Sequence, residues 1–361
     1  MNGNGFLKNS NIKVILNSFI LNKTFMKTKK KILILGSSSF AGASMVNFLL
    51  SKNDYLVLGT YRRKKIKQYL PYNYNKNLKL FKEYKVDFSG NTKKILKILS
   101  TEKPDYIIDF ASICMVNESW KNPEVYFKTN VLFKVEIFKY LSSIKFLKKY
   151  IYISTPEVFG SSDKFISEKN TTFNPSTPYA TSKLAAEMLL KNYFNFYKLP
   201  SILTRFSNFY GPGQPLYRLI PKIIMCIDRG KKFPIEGNGK SKRNFIFSYD
   251  FCSGIYKTLK NGKIGNIYHF SGNKFYSVLD VVKTVCDLKS FKLNKLIKKT
   301  AGRTGQDLLY KLGSFSTQKA LKWKPVYSLK KGLNEVINYH KKNFINFSKI
   351  NLTYEDKNLK K

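Results

Sequence analysis

Tyr179 and Lys183 stand four residues apart in Pro178-Tyr-Ala-Thr-Ser-Lys183. Positions i and i+4 share a helix face, so the spacing predicts an ammonium beside a phenol. A neighbouring cation favours phenolate, which lowers a tyrosine pKa from ~10 toward working pH and makes Tyr179 a usable base. The spacing alone is common by chance. It gains weight from Ile151-Tyr-Ile-Ser-Thr155-Pro-Glu157-Val-Phe-Gly160, which leaves a predicted buried strand at its carboxyl end. Open α/β sheets bind ligands at that end. Thr155 can hydrogen-bond the hydroxyl that Tyr179 deprotonates. Glu157 brings a carboxylate to the same mouth, the bland alternative being a loop salt bridge to one of many lysines.

A second group of residues could hold a dinucleotide. Gly36-Ser-Ser-Ser39-Phe40-Ala-Gly42 sits between an apolar run and a helical stretch, where a pyrophosphate rests on a helix N-terminus. Gly36 permits the tight turn and Gly42 the close packing of helix on strand. Ser39 stands where a middle glycine is common and can donate its hydroxyl to phosphate; Phe40, Phe110 and Ala111 complete the expected cofactor contacts. No Gly-Lys-Ser/Thr follows, so this is not a P-loop. The next strand ends in Arg62-Arg63, where an acidic residue would bind a ribose; arginines suit a 2′-phosphate, so NADP is expected over NAD. The alternative is that the arginines begin a solvated face. Asp87 is placed to contact adenine, or else caps a turn.

These residues need a parallel sheet behind them, and the chain reads that way. Apolar runs alternate with helical stretches, the signal of crossover connections. Strands are predicted at 31–35, 55–60, within 78–87, and at 105–109, 149–154 and 201–205. Helices are predicted at 40–50, 91–100, 123–142 and 179–197. The expected fold is α/β, a Rossmann doubly wound parallel sheet with a smaller C-terminal lobe. The expected division is an N-terminal extension (1–29), a dinucleotide-binding domain with the catalytic residues (30–205), and a substrate lobe (206–342) with some chain returning to the first. A polar tail (343–361) follows. Met26 is the expected start, because Lys29-Lys30-Lys31 then leads straight into the first strand.

Composition narrows the class. Sixty-five Lys+Arg against 22 Asp+Glu leave a formal charge of +43. The excess is lysine spread along the whole length, without a nucleic-acid-binding signature, so neither nucleic acid nor membrane is an expected partner. The field still favours an anionic substrate. Four scattered cysteines and two histidines argue against a zinc site or a disulfide framework, so no metal is expected and a reducing cytoplasm is the expected setting. No apolar run reaches the ~20 residues of a spanning helix.

The glycine turn, Ser154-Thr-Pro-Glu157-Val-Phe-Gly, Tyr179-x-x-x-Lys183 and Arg205-Phe-Ser-Asn208-Phe-Tyr-Gly-Pro-Gly213 occur in that order. As a set, over about residues 31–340, they resemble the extended short-chain dehydrogenase/reductase superfamily, and within it the nucleotide-sugar 4,6-dehydratases. The resemblance implies a nucleotide-diphosphate sugar as substrate, gripped by Ser112, Asn208, Arg218, Arg243, Arg303 and Asp307, with Thr129-Asn130 bordering the site. It implies oxidation at C4 by Tyr179 with Lys183 and Thr155. Glu157 then removes the C5 proton as the C6 hydroxyl leaves as water, and hydride returns to C6. It also implies a homodimer through two helices. Pro156 departs from the pattern, since the dTDP-glucose enzymes carry there an aspartate that protonates the leaving hydroxyl. A 4-epimerase or a UDP-glucuronate decarboxylase on the same scaffold is the alternative.

Overall fold

The computed structural model describes residues 29–63, 66–90, 92–300 and 309–354. The question of a start at Met26 therefore lies outside the described residues, as do Arg303 and Asp307. The first five strands are β1 (Lys31–Leu35), β2 (Leu56–Tyr61), β3 (Phe81–Lys85), β4 (Tyr106–Asp109) and β5 (Lys149–Ser154). They join β7 (Ser201–Phe206) and β11 (Ile267–Phe270) in one parallel sheet ordered β11-β7-β5-β4-β1-β2-β3. This is the doubly wound α/β arrangement that the alternating pattern predicts. Strand order reverses between β1 and β4, the topological switch point at whose carboxyl end open α/β sheets bind ligands.

The strands read as continuous apolar runs because both faces are covered. Ile32, Ile34, Val57, Ile108, Ile151 and Ile153 face one layer, packed with α1 (Phe40–Lys52) and α7 (Ser248–Asn261). Leu33, Leu35, Leu58, Ile107, Tyr150 and Tyr152 face the other, with α2 (Lys93–Glu102) and α4 (Phe133–Ser142). Alternate residues of each strand thus serve opposite cores, the period-two rule at work.

Two features differ from the sequence expectation. The predicted helix over 123–142 is α3 (Pro123–Phe127) and α4, joined by a wide π turn at Lys128–Leu132. The turn carries Asn130, whose amide bonds the backbone of Ile113 at 2.9 and 3.1 Å and the Ser182 hydroxyl at 3.0 Å. Such local widening recurs where a helix serves a site, and apolar periodicity does not register it. Strand β11 is the second difference. It comes from beyond residue 206 and pairs with β7, supplying a seventh strand to the sheet.

The remaining chain builds a smaller lobe. Strands β8 (Asn208–Tyr210), β10 (Lys242–Phe247) and β12 (Phe275–Ser277) form one sheet; β9 (Phe233–Glu236) pairs with β13 (Ile297–Thr300). Ile220 and Ile223 of α6 (Leu219–Asp228), Val281 and Val282 of α8 (Val278–Leu288), and Leu333 and Val336 of α9 (Leu329–Phe347) fill its core. Strand β6 (Phe165–Ile166) pairs with β14 (Lys311–Leu312), which ties the loop beyond Glu157 to the lobe. No helix among the described residues is long and apolar enough to cross a membrane. Cys226, Cys252 and Cys286 are buried, Cys114 is exposed, and all four are free.

Candidate active site

The glycine turn is built as its residues dictate. Gly36 sits at φ +79°, a left-handed conformation costly for any side chain, and its N–H donates to the Thr60 hydroxyl at 3.0 Å. A Cβ on Gly42 would stand 2.2 Å from the Gly36 carbonyl oxygen, so only glycine lets α1 pack this closely. Ser39 caps α1, its hydroxyl oxygen accepting from the Gly42 N–H at 3.0 Å. That acceptance leaves the hydroxyl proton to donate, which keeps its expected phosphate role open. Phe110 and Ala111 are buried directly across the turn. A helix N-terminus at the switch point, with a wall close enough to exclude side chains, fits a dinucleotide pyrophosphate.

At the adenosine end, Asp87 accepts from the Ser89 N–H and hydroxyl at 2.9 and 2.7 Å. It thus caps the turn after β3. Burial raises its pKa, but the Ser89 bonds and the charges of Arg62 and Arg63 outweigh that and hold it below the usual value. The two arginines therefore lie near Asp87 at the end of β2.

Helix α5 (Pro178–Tyr197) carries Tyr179 and Lys183. Thr177 caps it, accepting from the Ala180 N–H at 3.1 Å, and Pro178 occupies the first turn, where its missing N–H costs nothing. Tyr179 is 7% exposed and Lys183 2%. Burial, then the Glu157 carboxylate and Cys114, push the Tyr179 phenol well above its ordinary value; a hydrogen bond with Thr155 and the Arg218 charge oppose them. This corrects the lowering predicted from spacing. Lys183 turns its ammonium to the Ile153 carbonyl at 2.8 Å and lies 4.3 Å from the Tyr152 ring centroid. Burial first, then the Lys134 charge, bring Lys183 down to about 7. Burial and the neighbouring carboxylate both disfavour the phenolate.

The structure brings Thr155, Glu157, Tyr179 and Arg218 together at the mouth of β5. Thr155 also caps the turn after β5, its hydroxyl oxygen accepting from the Glu157 N–H at 3.3 Å. Cys114 joins them, accepting from the Arg218 guanidinium at 3.6 Å. Asn208 and Arg243 form a second cluster through Tyr310. Its hydroxyl donates to Asn208 Oδ1 at 2.6 Å, and its ring lies 5.7 Å from the Arg243 guanidinium. Ser112 is half-buried on the loop after β4.

Residues 33–336 match the GDP-mannose 4,6 dehydratase family. The chain belongs to this family. Among similar proteins, the dTDP-D-glucose 4,6-dehydratase of Dictyostelium discoideum is 32% identical over 278 residues, covering 72% of this chain and 62% of that protein. The Homo sapiens dTDP-D-glucose 4,6-dehydratase is 31% identical over 264 residues, covering 72% and 75%. A solved dTDP-glucose 4,6-dehydratase of Bacillus anthracis, in complex with NAD, superposes with a TM-score of 0.75 at 26% identity, covering 87% of this chain and 97% of that one.

Pro156 is buried in the turn between Thr155 and Glu157. Cys114 and Tyr310 were not legible as site residues. Cys114 carries no metal spacing, and Tyr310 follows the Gly302-Arg303 stretch without a motif of its own. Tyr310 stands next to β14 and reaches Asn208, the first residue of β8, 102 positions away in the chain. Among the described residues no group of three or more His, Cys, Asp or Glu side chains could hold a metal ion.

Proposed function

We propose that the chain is a nucleotide-sugar 4,6-dehydratase, converting a dTDP-glucose- or GDP-mannose-type substrate to its 4-keto-6-deoxy product. The observation that carries this reading is the Glu157 carboxylate acting on the Tyr179 phenol. One base suffices to oxidise C4, whereas removing the C5 proton calls for a second. A bound nicotinamide supplies the hydride acceptor at C4 and the donor at C6. Gly36, Ser39, Phe40 and Gly42 would hold the pyrophosphate, with Phe110 and Ala111 forming the wall opposite. Thr155 orients the C4 hydroxyl, Tyr179 takes its proton, and Glu157 takes the C5 proton. Proline at 156 has no proton to give, so Glu157, once protonated, is the acid in that turn able to return a proton to the leaving C6 oxygen. Arg218 and Arg243, with Arg303 and Asp307, would pair with the diphosphate and its nucleoside, since a guanidinium meets phosphate oxygens two at a time.

Incubation with a panel of NDP-hexoses should yield 4-keto product, read by its alkali-induced absorbance. No keto product from any hexose nucleotide rejects the dehydratase. Pro156 favours a second reading, a 4-epimerase or a UDP-glucuronate decarboxylase, because neither expels a hydroxyl. The same incubations separate them by the mass of the product.

Arg62 and Arg63, which follow β2 where an acidic residue would bind a ribose, support NADP as the preferred dinucleotide. The exposed Phe127, Leu132 and Met188 on the adjacent α3–α4 and α5 segments support a homodimer through these helices. Four free thiols suit a reducing cytoplasm. Native mass spectrometry reads the first two together. The expected species is twice the chain mass with NADP bound; a lone chain overturns the dimer, and NAD alone overturns the preference.

A further inference from the structure

Behind the loop that follows β4 lies an ion pair that the reaction does not use. Asp109, the last residue of β4, and Lys134, in the first turn of α4, are 1% and 0% exposed, with Nζ 2.5 Å from Oδ2. Burying two charges is costly, and an apolar pair of similar volume would fill the same space without that cost. Here both charges are engaged with the site's own backbone. The Ala111 N–H donates to Asp109 Oδ1 at 2.8 Å, and Lys134 donates to the Ala111 carbonyl at 2.9 Å. Both polar groups of Ala111 are thus taken by the pair. Tyr150 donates its hydroxyl to Asp109 from β5. Ala111 is the wall of the glycine turn: its nitrogen would stand 3.2 Å from a Cβ on Gly36.

The pair also reaches Lys183. The Lys134 ammonium lies 5.8 Å from the Tyr152 ring centroid, and that of Lys183 4.3 Å from the same ring. The groups acting on Lys183 are Lys134 from α4, Asp109 from β4, Glu187 from its own helix and Cys114 from the loop, around the Tyr152 ring of β5. Lys134 disfavours the Lys183 cation, and the other three charges favour it.

We propose that the Asp109–Lys134 pair is a positioning element of the active site, clamping the backbone of Ala111 and presenting a second ammonium to the ring on which Lys183 rests. It rests on the proposed function only in taking Lys183 as a working group of the site. The test is an NMR titration of Lys183 through isotope-labelled lysine Cε, its resonance assigned by loss in Lys183→Arg. In Lys134→Met the Lys183 midpoint should move up by about one pH unit or more, since a repelling neighbour is gone and Asp109 remains. Lys134→Arg keeps the cation and should leave the midpoint close to that of the unaltered protein. The double variant Asp109→Asn/Lys134→Met removes both charges, so it stays readable even where the single change leaves Asp109 unpaired and the fold damaged. Its midpoint should also rise, by less than in Lys134→Met. An unchanged or lowered midpoint in the double variant overturns the proposal. The titration needs no substrate, so failure to turn over nucleotide sugars counts against the proposed reaction alone.

Discussion

Tyr179→Phe should reduce turnover of a nucleotide sugar by roughly 10²- to 10⁴-fold, the range in which a positioned proton-transfer group contributes. The change deletes one oxygen and keeps the ring. The edge contact with Tyr126, at 6.4 Å between centroids, and the cap at Thr177 survive it, so the fold should hold. Thr155 loses its partner on the phenol, but it keeps the capping bond to the Glu157 N–H. Substrate affinity should change by no more than a few-fold, because the loss belongs to the step in which the proton moves. Steady-state rates, substrate binding by calorimetry and a thermal melt check the three statements separately. Retained turnover in a well-folded variant removes Tyr179 as the base.

Glu157→Gln should separate the two halves of the reaction. The amide keeps the shape of the turn but cannot take the C5 proton, so water loss should slow by roughly 10²- to 10⁴-fold. Oxidation at C4 should persist. The sign of the electrostatic change even favours it: the Glu157 charge raises the Tyr179 pKa, so its removal lowers that pKa and increases the phenolate fraction at a given pH. A 4-keto nucleotide that retains its C6 hydroxyl should accumulate, and mass spectrometry of quenched single turnovers would read it. Normal conversion to the 6-deoxy product would remove Glu157 from the mechanism and turn attention to Cys114 and Arg218, the other polar groups at that mouth.

Much of this was legible in the chain because the signals are local. A parallel sheet buried on both faces needs continuous apolar strands, and Ile32–Leu35, Ile107–Ile108 and Tyr150–Ile153 are such runs. Positive φ at Gly36 and close packing at Gly42 follow from a strand-turn-helix connection that only glycine can make. Thr155, Glu157 and Tyr179 sit at strand and helix ends whose positions the same pattern sets.

The chemical environment of those residues was not local. Spacing on one helix face placed Lys183 near Tyr179, yet burial, the Glu157 carboxylate and the Lys134 ammonium decided which way each group titrates. Asp109 and Lys134 are twenty-five positions apart, and each alone reads as a surface charge in a lysine-rich chain. Tyr310 reaches Asn208 across 102 positions. The amino-acid sequence by itself determined the sheet and the glycine turn after β1, since these follow from backbone sterics and apolar periodicity. Tertiary structure alone decided which charges share a low-dielectric interior, because a proton's affinity depends on neighbours brought together only when distant segments pack.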